Sequence, residues 1–189
     1  MPRNNATVTG RNLRIIWATT LLGSIAIYFL YAQHLSAGEV SAFVGQYPGW
    51  TAAVFFAICV ARGLVLIPGT PFLAAGILLF REEPWFLFGL FMASIAVVSW
   101  LLYRLSGWLG LAAWFEQRHP EKTARMRQRL EGPYGQWFIA LWAFAPVAPT
   151  DLACYVAGSV KLPVRKFLPA LLAGEAVICG IYIFLLQYI

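Results

Sequence analysis

The chain has 189 residues, of which 60% are apolar and 12% are charged, and its formal net charge is +6. Soluble domains average roughly 45–50% apolar and about 25% charged residues, so this composition excludes an ordinary soluble protein and indicates lipid as the solvent. The positive charge does not indicate nucleic-acid binding, because the basic residues stand in short runs between apolar segments, where they suit anionic lipid headgroups. No linker divides the chain, so we expect a single all-α membrane domain, residues 13–189. We expect a cytoplasmic tail, residues 1–12, to precede it.

The first apolar segment, Leu13–Ala32, has the length of about 20 residues that a membrane-spanning helix needs. A cleaved signal peptide is the alternative, but its apolar core would be roughly 7–15 residues long, and no small-residue cleavage site follows. We therefore expect an uncleaved anchor. The next stretch, His34–Gly49, is predicted to be a surface loop or an interfacial helix.

Residues 50–80 form an apolar region that is interrupted by Arg62 and by the sequence PGTP, which contains Pro68, Gly69 and Pro71. Proline removes a backbone donor and disfavours helix in the residue before it, so this sequence should break the helix near the bilayer midplane. The arm that follows is too short to span the membrane alone. We therefore predict a first re-entrant hairpin over residues 50–80.

The second half of the chain repeats this pattern. A spanning helix over Trp85–Tyr103 leads into a basic surface loop, residues 104–133, that contains an interfacial helix. Residues 134–162 are predicted to form a second hairpin, and Phe167–Ile189 the last of about three full spans. The hairpin breaks are expected at small residues and prolines: Pro68, Gly69, Pro71, Pro146, Pro149 and Gly158. Gly69, Gly76, Gly158 and Gly174 should also allow tight turns or close helix approach.

The charge distribution favours hairpins over full spans. If each broken region enters and leaves on one face, 12 of the 14 basic residues share a side. The positive-inside rule makes that side cytoplasmic, together with the N-terminus. The two hairpins then open to opposite faces, the inverted-repeat plan with which secondary transporters build a midplane site from interrupted helices. The alternative is two simply kinked helices.

The segment FAPVAPTDLACYVAGSVKLPVRKFLPALLAG, residues 144–174, resembles the VTT-domain family, which includes DedA-like and SNARE-associated Golgi-type membrane proteins. The shared features are P-x-x-P, an acidic residue two positions on, Tyr-x-x-Gly, and a basic turn followed by Phe and Gly. IPGTPFLAAGILLF and YRLSGWLG resemble the family's first hairpin and the span after it, so the likeness runs from Ala52 to Gly180. The resemblance implies two inverted re-entrant hairpins and a role in moving lipid between leaflets, as in undecaprenyl-phosphate recycling or phospholipid scrambling.

The chain departs from the family pattern at two places. Many relatives carry arginine three residues before the first proline of the second hairpin, where this chain has Ala143. Bacterial DedA-type members tend to place acidic residues in the first hairpin, where this chain has Arg62. This exchange weakens the expectation of phosphate-lipid specificity and fits the Golgi-associated branch better than the undecaprenyl-phosphate branch.

Three ionisable residues inside apolar sequence form the candidate substrate or ion pathway: Arg62, Asp151 and Glu175. A carboxylate at the bilayer centre costs about 2.5–3.5 kcal/mol on insertion scales, so Asp151 needs a partner, a water-filled cavity or protonation. Arg62 is the expected partner if the hairpin tips meet. The alternatives are that Asp151 only caps its helix and that the ion pair only stabilises hairpin packing. Glu175 is expected to be protonated or hydrogen-bonded between helices.

The sequence gives no sign of catalysis. Cys59, Cys154 and Cys179 are isolated in apolar sequence, so we expect neither disulfides nor a metal site. His34 and His119 have no nucleophile or metal-ligand pattern around them. Because Walker, GxSxG and HExxH motifs do not occur, we expect a protein that is not an enzyme, has no cofactor and works without ATP.

The leading hypothesis is a membrane transporter that moves lipid, in a flippase- or scramblase-like manner, or a small solute. The alternative is a non-transporting scaffold whose basic loop recruits a partner or anionic lipid. The expected partners are membrane lipids and anionic headgroups, a homo-oligomer is left open, and nucleic acid is not expected. The compact chain favours a bacterial inner (plasma) membrane.

Overall fold

The computed structural model describes residues 36–108, 120–145 and 150–186, together with the single residues 19, 23, 117 and 118. Over these residues the chain forms eight α-helices and no strand, which confirms the all-α prediction. The predicted first span apart from residues 19 and 23, the prolines of the second break and His119 lie outside the described residues. The helices in chain order are α1 (Ala37–Gly45), α2 (Thr51–Leu64), α3 (Thr70–Leu79), α4 (Pro84–Trp108), α5 (Pro120–Glu131), α6 (Gly135–Phe144), α7 (Thr150–Ser159) and α8 (Val164–Leu186).

Two of the described helices are long and apolar enough to cross a membrane, over Pro84–Ser106 in α4 and Val164–Leu185 in α8. At about 1.5 Å per residue each is roughly 33–35 Å long, which matches a hydrocarbon core of about 30 Å. α4 runs beyond its predicted end at Tyr103. Arg104 does not end the helix, because its side chain is exposed and lies over the ring of Trp100, 5.4 Å from the ring centroid.

The two long helices run antiparallel. The ring centroid of Trp85, at the start of α4, lies 4.5 Å from that of Phe184, near the end of α8. Tyr103, near the end of α4, stacks on Phe167, at the start of α8, with centroids 6.0 Å apart. These contacts define two ends of the helix bundle, which we call the Trp85 end and the Tyr103 end.

The first broken region forms two arms that meet at the Trp85 end. α2 stops at Leu64 and α3 starts at Thr70, so the helix is interrupted at the predicted place. The rings of Phe55 and Phe80, close to the two ends of the region, have centroids 5.6 Å apart. Gly63, at the far end of α2, packs on Val98 of α4. The chain therefore runs part of the way along α4 and turns back.

The second broken region forms corresponding arms at the Tyr103 end. α6 stops at Phe144 and α7 starts at Thr150. The Tyr103 hydroxyl donates a hydrogen bond to the carbonyl of Leu162, just after α7, at 2.8 Å. Lys166 Nζ donates to the carbonyl of Glu131, just before α6, at 3.3 Å. Both ends of this region therefore lie at the Tyr103 end, opposite to those of the first region.

Glycines allow the closest helix contacts. Gly158 was predicted to lie at a hairpin break, which is wrong: it lies inside α7, where an added Cβ would be 2.5 Å from the carbonyl oxygen of Tyr103. In the same way, a Cβ on Gly174 of α8 would overlap the carbonyl oxygen of Ala140 on α6. Gly76 of α3 packs against Leu87 and Phe55. Small residues bring helices together in this way where lipid provides no hydrophobic contrast.

Candidate functional site

The candidate site is a cavity of about 240 Å³ between the turn of the first broken region and the facing ends of α6 and α7. Arg62 reaches it from the last turn of α2, Asp151 from the first turn of α7, and Glu175 from the middle of α8. The structure therefore brings all three ionisable residues predicted from the sequence onto one cavity. Their role in a transport pathway stays a prediction.

Arg62 and Asp151 lie side by side, a pairing that the sequence analysis made conditional on a meeting of the hairpin tips. Arg62 Nη1 is 3.8 Å from Asp151 Oδ2, and the two side chains are 9% and 21% exposed. A charge-assisted hydrogen bond between nitrogen and oxygen is shorter, about 2.7–2.9 Å. The two groups therefore attract each other as charges without being locked in a bidentate bond.

The guanidinium of Arg62 is positioned mainly by the first broken region. Its Nη1 donates a hydrogen bond to the carbonyl of Ile67 at 3.2 Å, and its Cζ lies 5.8 Å from the ring centroid of Phe91 on α4. Gly69 supplies the space for it, since an added Cβ would be 2.9 Å from Arg62 Nη1. Arg62 Nε is buried and has no hydrogen-bond partner among the described residues. A donor that is buried and unpaired costs stability, so the position of Arg62 at this turn is held at a cost to the fold.

The backbone after α2 explains why the chain can present Arg62 at a turn. The N–H of Leu66 donates to the carbonyl of Gly63, and the N–H of Ile67 donates to that of Arg62, at 3.1 and 3.0 Å. These two bonds form a Schellman motif, with Leu66 in the left-handed region at φ 59°. Leucine in that region costs roughly 1–2 kcal/mol, a strain that glycine would avoid. Pro68 then prevents the helix from continuing.

Asp151 lies in the first turn of α7, which begins at Thr150. The interpretation that Asp151 serves only as the N-cap of this helix is therefore wrong, because the capping position precedes Thr150. A carboxylate in the first turn is still favoured by the helix dipole, whose N-terminal end is positive. α7 thus stabilises a negative charge at the edge of the cavity.

Glu175 contributes the second carboxylate. Its Oε2 accepts a hydrogen bond from the thiol of Cys179, one turn further along α8, with the sulfur 3.8 Å away. With Arg62, Asp151 and Glu175 all ionised, the cavity would carry one net negative charge. Such a site can hold a cation or a proton near the carboxylates and an anionic group near the guanidinium.

Several lining residues were not singled out from the sequence. On α8 the cavity is lined, beyond Glu175, by Ile178, Cys179 and Tyr182. These residues lie three, four and seven positions after Glu175, so all four share one helix face. That spacing could have identified them. Ala143, the position at which the family resemblance led us to expect arginine, also lines the cavity. Arg62 supplies the only guanidinium among the described lining residues.

Comparison with known proteins identifies the family. A family model described as VTT domain matches residues 67–188, more than half of the chain. The match begins after α2 and therefore leaves out residues 52–66, among them Arg62. The sequence resemblance had included this stretch. No curated protein and no solved structure matches the chain. The chain belongs to the VTT-domain family of membrane proteins.

Proposed function

We propose that this protein is a membrane transporter that moves a lipid or a small solute across the bilayer without ATP. The observation that carries the proposal is the convergence of Arg62, Asp151 and Glu175 on one cavity between two oppositely directed broken regions. Ionisable residues in membrane-spanning segments usually face a substrate or ion pathway. The two carboxylates, the guanidinium and the hydroxyl groups of Thr150 and Tyr182 that line the cavity suit binding and ion exchange better than bond making. We therefore propose transport rather than catalysis.

We further infer that residues 51–79 and 135–159 are re-entrant hairpins that enter the bilayer from opposite faces. α3, α6 and α7 have 10 residues each, and α2 has 14. At 1.5 Å per residue these arms are about 15 and 21 Å long, short of the roughly 30 Å hydrocarbon core. Non-helical turns at membrane depth are tolerated where they line a cavity, and the first turn lines this one through Pro68 and Gly69.

The charges at the two ends of the bundle favour one orientation. Lys166 of α8 contacts the end of the basic helix α5 at the Tyr103 end. The Trp85 end carries the acidic residues Glu82 and Glu83 next to the start of α4. By the positive-inside rule we propose that the Tyr103 end is cytoplasmic, with the N-terminus on the same side. A bacterial inner membrane stays our predicted location.

The size of the cavity limits what it can enclose. Sites that enclose a drug-sized ligand have volumes of roughly 300–1,000 Å³, and this cavity has about 240 Å³. It would therefore take a headgroup, a small solute or an ion, while lipid tails stayed in the bilayer. An anionic group that entered would compete with Asp151 for Arg62. Substrate binding would thus weaken the contact between the two hairpins and favour their separation.

The proposal can be tested in proteoliposomes by following the exchange of a fluorescent lipid between leaflets. The wild-type protein should accelerate exchange over protein-free vesicles, and Asp151→Asn should slow it about tenfold, equivalent to about 1.4 kcal/mol in the barrier. Glu131→Gln is the matched control, because Glu131 is also ion-paired, with Arg127 at 2.9 Å, but lies outside the cavity. Rates equal to those of protein-free vesicles, in this assay and in a parallel swelling assay with small solutes, would contradict transport.

A further inference from the structure

A second cavity of about 920 Å³ lies between α5, α6 and α7 and shares no lining residue with the cavity around Arg62. One wall is formed by Lys122, Arg125, Met126 and Arg129 of α5. Their spacing of three, four and seven residues places them on one helix face. We call this second cavity the basic groove.

The opposite wall of the basic groove is apolar. Phe138 and Trp142 of α6 and Val156 of α7 line it and remain 58%, 40% and 36% exposed. α6 starts beside the end of α5 and runs towards the cavity at Arg62, where Ala143 lies. The groove therefore has cations at its margin near the Tyr103 end and an apolar track that leads from them towards the middle of the bundle.

Within the described part of the chain, no buried ion pair neutralises the cations at this margin. Arg125 is 3.7 Å from Glu121, but both side chains are more than three-quarters exposed, so water screens the pair. Lys122 and Arg129 form no ion pair within the described part of the chain. Because residues four apart on a helix are neighbours, Arg125 and Arg129 can contact one phosphate together.

We propose that the basic groove binds an anionic phospholipid. Its phosphate contacts Arg125 and Arg129 with Lys122 beside them, and one acyl chain lies along Phe138 and Trp142. Charge complementarity identifies the ligand, since an apolar track that begins at three cations matches a lipid with an anionic head. This lipid is held at the side of the second hairpin and is distinct from whatever passes the Arg62 cavity, so the inference goes beyond the proposed function.

Photocrosslinking in nanodiscs tests this binding directly. Benzoylphenylalanine would replace Phe138 in the groove or Val177, a 54% exposed position on α8 away from it. The nanodiscs contain phosphatidylcholine with a minor share of phosphatidylglycerol, and mass spectrometry identifies the crosslinked lipid. We expect phosphatidylglycerol to be enriched roughly tenfold over its bulk share at position 138, and not at position 177.

Two triple variants separate the groove from general surface charge. The first variant combines Lys122→Gln, Arg125→Gln and Arg129→Gln, and it should abolish the enrichment at position 138. The second variant combines Arg118→Gln, Arg127→Gln and Arg165→Gln. It removes the same charge from residues that do not line the groove, so the enrichment at position 138 should remain.

Three outcomes would overturn the proposal: equal lipid ratios at positions 138 and 177 of the otherwise wild-type protein, equal loss in both triple variants, or crosslinks from position 138 to the chain's own residues 13–32 in place of lipid. The readout is binding, so it is independent of the transport assay.

Discussion

Arg62 and Asp151 come from different broken regions, yet they approach to 3.8 Å inside the bundle. A buried ion pair is weak evidence for stability, since similar apolar residues often replace it without loss. Breaking it by removing one partner is costly, because the other charge is left without compensation. The two effects provide a way to separate a structural role from a functional one.

A double-mutant cycle makes that separation. Arg62→Met and Asp151→Asn should each destabilise the protein by about 1–3 kcal/mol, less than for a fully buried pair because Asp151 is 21% exposed. The double variant should regain part of this loss, with a coupling of about 0.5–3 kcal/mol, while its transport stays as slow as that of Asp151→Asn or slower. Thermal unfolding in detergent and leaflet exchange give the two readouts. A double variant that is both stable and active would mean that the pair only stabilises packing. The exposed pair Arg127 and Glu131 is the control, with expected coupling of about 0–1 kcal/mol.

Gly69 tests whether the placement of the guanidinium matters. Its backbone is right-handed helical, with φ −77° and ψ −23°, so alanine is tolerated by the main chain. The new Cβ would be 2.9 Å from Arg62 Nη1, and the flexible arginine must move away. Gly69→Ala should therefore reduce transport several-fold while the melting temperature changes little. Gly89→Ala, where nothing lies within 4 Å, should change neither quantity. Equal transport by the two variants would show that the guanidinium position is unimportant.

At the scale of the helices, close backbone approach decides which elements pack together. α6 lies against α8 where Gly174 faces Ala140, and α7 lies against α4 where Gly158 faces Tyr103. The sequence correctly marked these glycines as small residues for packing but could not assign their partners. The prolines Pro68 and Pro71 also predicted the first helix break. The helix α2 ends earlier, at Leu64, because a Schellman motif terminates it.

Gly174 and Gly180 form a matched pair on α8. An added Cβ at Gly174 would overlap a backbone carbonyl, which cannot move without displacing α6, whereas at Gly180 the nearest atom, of Phe88, is 3.8 Å away. Gly174→Ala should destabilise the protein by about 1–3 kcal/mol, the usual cost of overpacking. Gly180→Ala should leave stability unchanged or raise it slightly, since alanine favours helix. Thermal unfolding of both variants measures the difference, and equal melting temperatures would refute the close α6–α8 packing.

At the scale of the whole molecule, the broken regions attach to opposite ends of an antiparallel pair of long helices. Phe55 and Phe80 lie together at the Trp85 end, and Tyr103 contacts Leu162 at the other. This arrangement places the first turn and the facing ends of α6 and α7 between the two ends of the bundle. It is the geometry that an inverted repeat needs to form a site near the bilayer midplane.

Accessibility mapping tests how this arrangement sits in a membrane. Single cysteines would replace Pro48, Glu82, Tyr134 or Lys161, all exposed, in a background without the three buried native cysteines. An impermeant maleimide should label positions 48 and 82 from one face of sealed vesicles, and positions 134 and 161 from the other. Labelling of position 82 from the face opposite to 48, or of 161 from the face opposite to 134, would refute the re-entrant hairpins.

The sequence by itself determined that the chain suits a membrane, that it is all-α, where the first helix break lies, and which three ionisable residues belong to the candidate site. These properties are local: apolar composition selects lipid, proline removes a backbone donor wherever it stands, and a charge in an apolar run needs compensation. Only the tertiary structure decided that Arg62 meets Asp151, that Glu175 shares their cavity, and which helices pack at Gly158 and Gly174. These outcomes depend on the fit of side chains from segments far apart in the chain, and no local rule contains that fit.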